Sequence, residues 1–441
     1  MAQQNNIVLN IFKIPELRKR VLFTLLMIVI VRIGAYIPVP GVNAVALERL
    51  FSQTAGGILG FLDLFAGGAM RRFTLFALGI MPYISASIIL QLLTVVIPVL
   101  ERLSKEGEVG RKKIQQITRV CTIGIAGVQG YALTVFMNSN PEVIVNPGLG
   151  FTVTALVSMI AGTIFLMWIG EQITDRGIGN GVSLIIFIGI VARVPIAFKQ
   201  VYDQLKLGEL NPIVLIASIG IFVGIVAFVI LEQQGQRRIP IQHAKKVVGR
   251  KVYAAQATHL PLKINPSGVI PIIFASSILL FPAQIAKSFG TRIPALDNLA
   301  ALLSPGRILY LIFYALLIIF FTYFYTNVQL NPIDIADNLK KVGGYIPGIR
   351  PGINTSSYLQ KVLNRIVLPG SIFLAIIALI PTIIQRWLRL PPDMAYLMGG
   401  TSLLIMVGVD LDTMKQIESH LLMRHYDGFM KRGGKIRGRN L

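Results

Sequence analysis

Apolar runs of about 20 residues are the feature of this sequence that most constrains its fold. Four runs are nearly pure, at residues 73–97, 151–170, 212–231 and 308–326. Each has about the ~20 residues that a membrane-spanning helix needs. Less pure runs lie near residues 21–38, 120–137, 182–198, 269–286, 366–384 and 395–414. The sequence therefore predicts an all-α integral membrane protein with ten transmembrane helices.

The distribution of charge predicts how these helices are oriented. Only 14% of the residues are charged, yet the net charge is +22. If the N-terminus is cytoplasmic, the inner tails and loops hold 30 of the 42 Lys and Arg residues. This asymmetry follows the positive-inside rule and predicts cytoplasmic tails at residues 1–20 and 415–441. The surplus of cations fits anionic lipid, ribosomal RNA or an acidic protein, and charge does not choose among them.

Two stretches of the apolar runs resemble each other. Residues 79–89, GIMPYISASII, match residues 268–278, GVIPIIFASSI, at six of eleven positions. The simplest account is two halves of five spans each, at residues 21–198 and 212–414. Five is odd, so the second half would be inverted in the membrane. Inverted repeats with Gly/Pro-interrupted helices indicate a transport pathway at the repeat interface. Chance similarity is the alternative, because Gly, Ile and Ser are common in membrane helices.

Chemistry-bearing residues are sparse in the predicted spans. An ion-coupled transporter needs a titratable group at membrane depth, but the candidate charges lie at span ends: Arg32, Glu171, Asp410 and Asp412. All four histidines fall in predicted cytoplasmic loops, and no catalytic or metal-ligand motif is found. Cys121 is the only cysteine, which excludes an intramolecular disulfide. We expect no enzyme activity, no cofactor and no metal. Composition, topology and the repeat still leave open a secondary transporter of small molecules.

One glycine-bracketed segment is too short to span a membrane. Residues 56–68, GGILGFLDLFAGG, hold an apolar core of about nine residues, too few for a bilayer core of ~30 Å. A re-entrant helix is one interpretation and a helix on the outer leaflet is the other. The glycine pairs would act as hinges, which favours a movable element.

Two predicted cytoplasmic loops are long and basic. Residues 232–263 alternate basic residues with β-forming ones. The loop at residues 327–365 places Arg350 between Pro347-Gly348 and Pro351-Gly352. Proline stiffens a chain and glycine turns it, so we expect Arg350 at the tip of an ordered loop. Such a cation favours docking to a large partner, and a lipid-facing charge is the alternative.

Six long motifs resemble one known family. They are LFAGGA (64–69), ALGIMPYISASI (77–88), GEQITDRGIGNGVS (170–183), VYAAQATHLPLKIN (252–265), ADNLKKVGGYIPGIRPG (336–352) and GGTSLLI (399–405). In this order they resemble the bacterial SecY family, the channel subunits of the general protein-secretion translocon. The resemblance covers nearly the whole chain. It implies ten helices in two inverted halves around an hourglass pore, without enzyme activity.

The resemblance also implies where the pore and its seal lie. A ring of aliphatic side chains should form the constriction: Ile80, Ile84, Val182, Ile186, Ile273 and Ile405. Such a ring offers a polypeptide no fixed hydrogen-bond partner and dewets against ions. A plug helix should fall at residues 58–70, with the side chains Ile58, Leu59, Phe61, Leu62, Leu64 and Phe65.

Further expectations concern the gate and the partners. The family's lateral gate opens sideways to lipid, and its polar residues correspond to Ser87, Gln91, Thr118, Asn265 and Ser276. Loops with Arg250, Lys251 and Arg350 resemble those that dock the ribosome or the SecA motor. The resemblance implies SecE and SecG as small membrane subunits, with phospholipids and secretory or membrane proteins as further contacts. It places the chain in the bacterial cytoplasmic membrane, where it passes unfolded chains outward.

Overall fold

The structure is a computed structural model of the chain. It describes residues 14–54, 58–138, 142–208, 211–243, 246–248, 251–253, 257–289, 307–388, 394 and 399–432. The predicted N-terminal tail before residue 14 and the end of the basic C-terminal tail lie outside these residues.

Helices dominate the described residues. The helices are α1 (Pro15–Gly34), α2 (Ala44–Thr54), α3 (Ile58–Ala66), α4 (Met81–Val96), α5 (Pro98–Lys105), α6 (Glu108–Asn138), α7 (Leu149–Arg176), α8 (Gly181–Val191), α9 (Val194–Lys206), α10 (Pro212–Gln234), α11 (Ile270–Phe289), α12 (Ile308–Gln329), α13 (Pro332–Lys341), α14 (Ile353–Leu388) and α15 (Gly400–Arg432). The strands are β1 (Gln236–His243), β2 (Lys246–Val248), β3 (Lys251–Tyr253), β4 (Ala257–Lys263) and β5 (Gly344–Tyr345).

Each of the ten predicted spans falls on a described helix. By length and composition, six helices or near-continuous helix pairs are able to cross a membrane, or seven when α4 and α5 count as one bent span. The helices at the other predicted spans, α1, α11 and α15, do not meet the same test within the described residues. The prediction of an all-α membrane protein is confirmed, and the chain is a multi-pass membrane protein.

The chain divides into two compact units. The first comprises Met1–Val194 and Ile405–Leu441, and the second comprises Pro195–Leu404. In the first unit α4 packs on α6, α6 on α7, and α7 on α1 and α8. In the second unit α14 packs on α10, α12 and α13, and α11 packs on α12.

The two helices of the repeat begin after similar glycine turns, and one of them begins later than hydropathy predicts. The apolar run at residues 73–97 predicts a helix from its start, but α4 begins only at Met81 because residues 67–80 form turns. Gly79 ends these turns with φ +58°, and Gly268 before α11 has φ +60°. Only glycine adopts that backbone conformation without strain. The proline that follows each glycine lies in the first helical turn, where its missing N–H costs no intrahelical bond.

A small sheet stands in the second unit where the basic loop was predicted. β4, β1 and β5 form one antiparallel sheet in that order, and β2 pairs with β3. The alternation of basic and β-forming residues thus builds hairpins. One face of the sheet buries Ile239 and Leu262 against Ile346, Leu359 and Leu363, and the last two belong to α14. This apolar cluster fixes the loop after β5 to the base of α14.

Candidate functional site

The short helix α3 is held in the first unit by very close contacts. A Cβ atom on Gly67 would lie 2.8 Å from the Cα atom of Gly189 in α8. A Cβ atom on Gly79 would lie 3.3 Å from the Cα atom of Ala66. Arg32 of α1 donates to the Gly67 carbonyl at 3.2 Å, where a cation complements the C-terminal end of the α3 dipole. Gly67, in the second glycine pair, therefore allows a close backbone contact as well as a turn.

A small cavity lies between α3 and the start of α4. Its lining includes Phe65 and Ala66 of the α3 end, Ile80 before α4, and Ile185 and Ile188 of α8. The lining is apolar except for Arg32. The glycine-bracketed helix and one predicted constriction residue therefore border the same small cavity.

The described plug residues face inward. Leu62, Leu64 and Phe65 are buried. The backbone of Ile58, Leu59 and Phe61 belongs to α3, but their side chains lie outside the part of the chain that the structure describes. α3 is thus a packed helix within the first unit.

The predicted constriction residues occupy both units. Ile80, Ile84, Ile186 and Ile405 are buried in the first unit, whereas Val182 is half-buried. Ile273 is buried in the second unit. A ring would draw on both units and stays a prediction.

The loop before α8 positions the side chains of that helix. The Asn180 side chain caps α8 by accepting from the Val182 and Ser183 amides at 3.1 and 3.3 Å. The Gly179 amide donates to Gln416 Oε1 of α15 at 2.6 Å. These bonds link α8, which carries Ile186, to the helix that carries Ile405.

The predicted gate residues bond within their own elements. Gln91 Nε2 lies 3.5 Å from Ser87 Oγ, and the hydroxyls of Thr118 and Ser276 donate to the carbonyls of Ile114 and Ile273. The Asn265 side chain donates to the Gly268 carbonyl at 3.0 Å and accepts from Ser267 Oγ at 2.9 Å. Asn265 therefore fixes the turn that starts α11. Its gate role and that of the others stay predictions.

The structure describes the predicted docking residues to different extents. Arg350 is exposed between two left-handed glycines, Gly348 and Gly352. Its carbonyl accepts from Thr355 Oγ1 in the first turn of α14 at 2.9 Å. Lys251 begins β3, but its side chain lies outside the described residues, as does Arg250 altogether.

Sequence reasoning missed three charged residues around α3. Asp63 in α3 is fully buried, and its carboxylate lies 3.1 Å from Arg71 Nε and 3.4 Å from Arg193 Nη1. The charges considered at the span ends belong to the predicted spans, whereas Asp63 lies in the segment that is too short to be one. The signal was present, because Asp63 is the only charge in the nine-residue helix ILGFLDLFA.

Comparison with known proteins decides the family. The family model SecY matches residues 74–414. The chain belongs to the SecY family. It is similar to "Protein translocase subunit SecY" of Thermotoga maritima, with 48% identity over 98% of both chains. It is 47% identical to the protein of that name from Escherichia coli K12, over 95% of this chain and 94% of the other.

Solved structures support the same fold for this SecY family member. One, described as the structure of a protein conducting channel, has a TM-score of 0.67 at 19% identity and covers 92% of this chain and 93% of the other. Another is Sec61 in a canine ribosome-channel complex from the endoplasmic reticulum, with a TM-score of 0.65 at 18% identity and coverage of 92% and 93%. At these identities the likeness concerns the fold.

Proposed function

We propose that the chain is the protein-conducting channel of the general secretion pathway. It passes unfolded secretory chains across the membrane and releases transmembrane segments sideways into lipid. Family membership supports this, since the relatives of nearly half identity are translocase subunits. The alternative, a secondary transporter of small molecules, has no such support. The chain itself hydrolyses nothing, and an external partner supplies the energy.

One structural observation carries the proposal. A plug role for α3 is supported by its contact with a predicted constriction residue, since Phe65 and Ala66 border the same small cavity as Ile80. In the closed state, buried isoleucines with no fixed hydrogen-bond partner would exclude water and ions. When a client enters, α3 leaves and the isoleucines slide along the client's side chains.

Lateral release follows from partition into lipid. Each Leu, Ile, Phe or Val contributes roughly 0.3–0.6 kcal/mol to insertion at the membrane centre. A segment of 20 such residues therefore leaves through the gate bordered by Ser87, Gln91, Thr118, Asn265 and Ser276, whereas a polar segment stays in the pore.

The sheet and the loop after it are the proposed docking surface. Arg350 is exposed on a loop that Ile346 anchors in an apolar cluster. A cation held in this way suits the SecA motor or ribosomal RNA, and Arg250 and Lys251 would extend the surface. We further propose SecE and SecG as membrane partners, contact with anionic phospholipids, and a bacterial cytoplasmic membrane with both termini inside.

Site-directed cross-linking tests the channel. In a Cys121→Ser background, single cysteines replace Ile84, Ile186, Ile273 or Ile405. A secretory chain with one cysteine is then stalled midway and disulfides are scored. All four positions should react if these side chains surround the client.

The matched control is Val157→Cys on α7, where the native side chain is 61% exposed and should face lipid. It should not react with the stalled client. Failure of all four isoleucine positions while the client still crosses the membrane would reject the proposed pore.

A further inference from the structure

Asp63 is an unusual residue in a helix that is otherwise apolar. α3 consists of ILGFLDLFA, and Asp63 is its only ionisable side chain. The side chain is fully buried. A buried carboxylate is costly unless it is paired and hydrogen-bonded, so its neighbours explain why it is tolerated.

Two arginines from different parts of the first unit surround this carboxylate. Asp63 Oδ2 lies 3.1 Å from Arg71 Nε, and Oδ1 accepts from the Arg71 backbone amide at 3.1 Å. Arg193 Nη1 lies 3.4 Å from Oδ2. Arg193 follows α8, and its side chain is only 3% exposed. One carboxylate thus joins three segments: α3, the turns after it, and the end of α8.

A movement of α3 would affect the two arginines differently. Arg71 is close to Asp63 along the chain and is 24% exposed, so it is able to follow α3 or meet water. Arg193 belongs to another element and is buried. Removing one partner of a buried ion pair leaves an uncompensated charge, which is strongly unfavourable. Displacement of α3 would separate Asp63 from Arg193 and leave two charges that need water or another partner.

We propose that Asp63 is the latch of the plug, and that its ion pair with Arg193 sets how often the channel opens without a client. This rests on the proposed function of α3 as the plug. The pair fixes α3 at one position in the first unit. Apolar packing alone would allow α3 a wider range of positions. A client entering the pore displaces α3 and lets water in, which then solvates both charges.

Client-free ion conductance in planar lipid bilayers tests the latch. The purified channel complex is compared with Asp63→Asn, Arg193→Gln and the double variant. Asp63→Asn keeps the shape of the side chain, so we expect the open probability to rise at least tenfold through lost charge alone. Arg193→Gln should also raise the open probability, because it removes the other partner of the pair. The double variant should match Asp63→Asn within about threefold, because the ion pair with Arg193 is already lost in that variant.

The control is Glu101→Gln, which neutralises an exposed ion pair with Lys105 in the same unit. It should leave the conductance unchanged. An unchanged conductance in both folded single variants, or multiplied effects in the double variant, would overturn the latch. If one single variant does not fold, the other still tests the same pair.

The cross-linking experiment separates this failure from failure of the channel. If stalled clients react at Ile84 and Ile186 while Asp63→Asn conducts like the native protein, the channel stands and the latch is wrong. If clients do not react at the isoleucines, the proposed function falls first.

Discussion

The contact between Gly67 and Gly189 allows one prediction to be worked out from the structure. Gly67→Ala adds one methyl group, which would lie 2.8 Å from the Gly189 Cα atom. That neighbour is backbone and has no rotamer by which to withdraw. Overpacking of this kind costs about 1–3 kcal/mol. If α3 is the plug, as proposed, this overlap exists only in the closed state, so Gly67→Ala destabilises that state alone.

The expected result is a higher open probability without a client. A free-energy change of 1–3 kcal/mol corresponds to a shift of about 5- to 150-fold. Single-channel recording in planar bilayers measures it, and thermal unfolding in detergent checks that the variant is folded.

A neighbouring glycine provides the matched control. Gly67 and Gly68 both have left-handed backbone, with φ +64° and +86°. A Cβ atom on Gly68 would meet nothing within 4 Å. Gly68→Ala therefore adds similar backbone strain without the contact. If the two variants raise conductance equally, the strain and not the α8 contact is responsible, and the reasoning is refuted.

Other predictions concern stability and docking. Ile346→Ala should lower the free energy of unfolding by about 2–5 kcal/mol, because it leaves a cavity in the cluster under the sheet; thermal unfolding measures this, and an unchanged melting temperature would contradict it. Arg350→Ala should leave the melting temperature unchanged but weaken binding of the motor or ribosome, because the side chain is exposed; normal binding in a co-sedimentation assay would argue against the docking surface. Gly162→Ala should sharply reduce the yield of folded protein, because its methyl group would overlap the Leu75 carbonyl oxygen; a normal yield would contradict that contact.

Hydropathy predicted which segments are membrane helices, since burial in lipid depends on the composition of about 20 consecutive residues. It did not predict where α4 begins. Residues 73–80 are as apolar as a helix, but Phe73 and Gly79 both have positive φ and the chain turns there. Average apolarity carries no information on such backbone angles.

The contacts that position α3 are a second feature that the sequence did not predict. Its length and flanking glycines indicated a short movable helix, which is local information. Its partners are distant along the chain: Arg32 in α1, Gly189 in α8 and Arg193 after α8. A charge inside an apolar segment signals that a partner exists, but only the fold reveals which arginine it is.

The loop that carries Arg350 has a mechanical consequence. It leads directly into α14, and the segment from Ile353 to Pro369 is roughly 25 Å of helix at 1.5 Å per residue. Proline removes a backbone hydrogen bond, so this lever pivots most easily at Pro369. There, a Cβ atom on Gly370 would lie 3.0 Å from the Ile264 carbonyl oxygen, one residue before the Asn265 turn that starts α11. If a partner docks on this loop, as proposed, a force applied there would reach the turn before α11, the helix that carries Ile273.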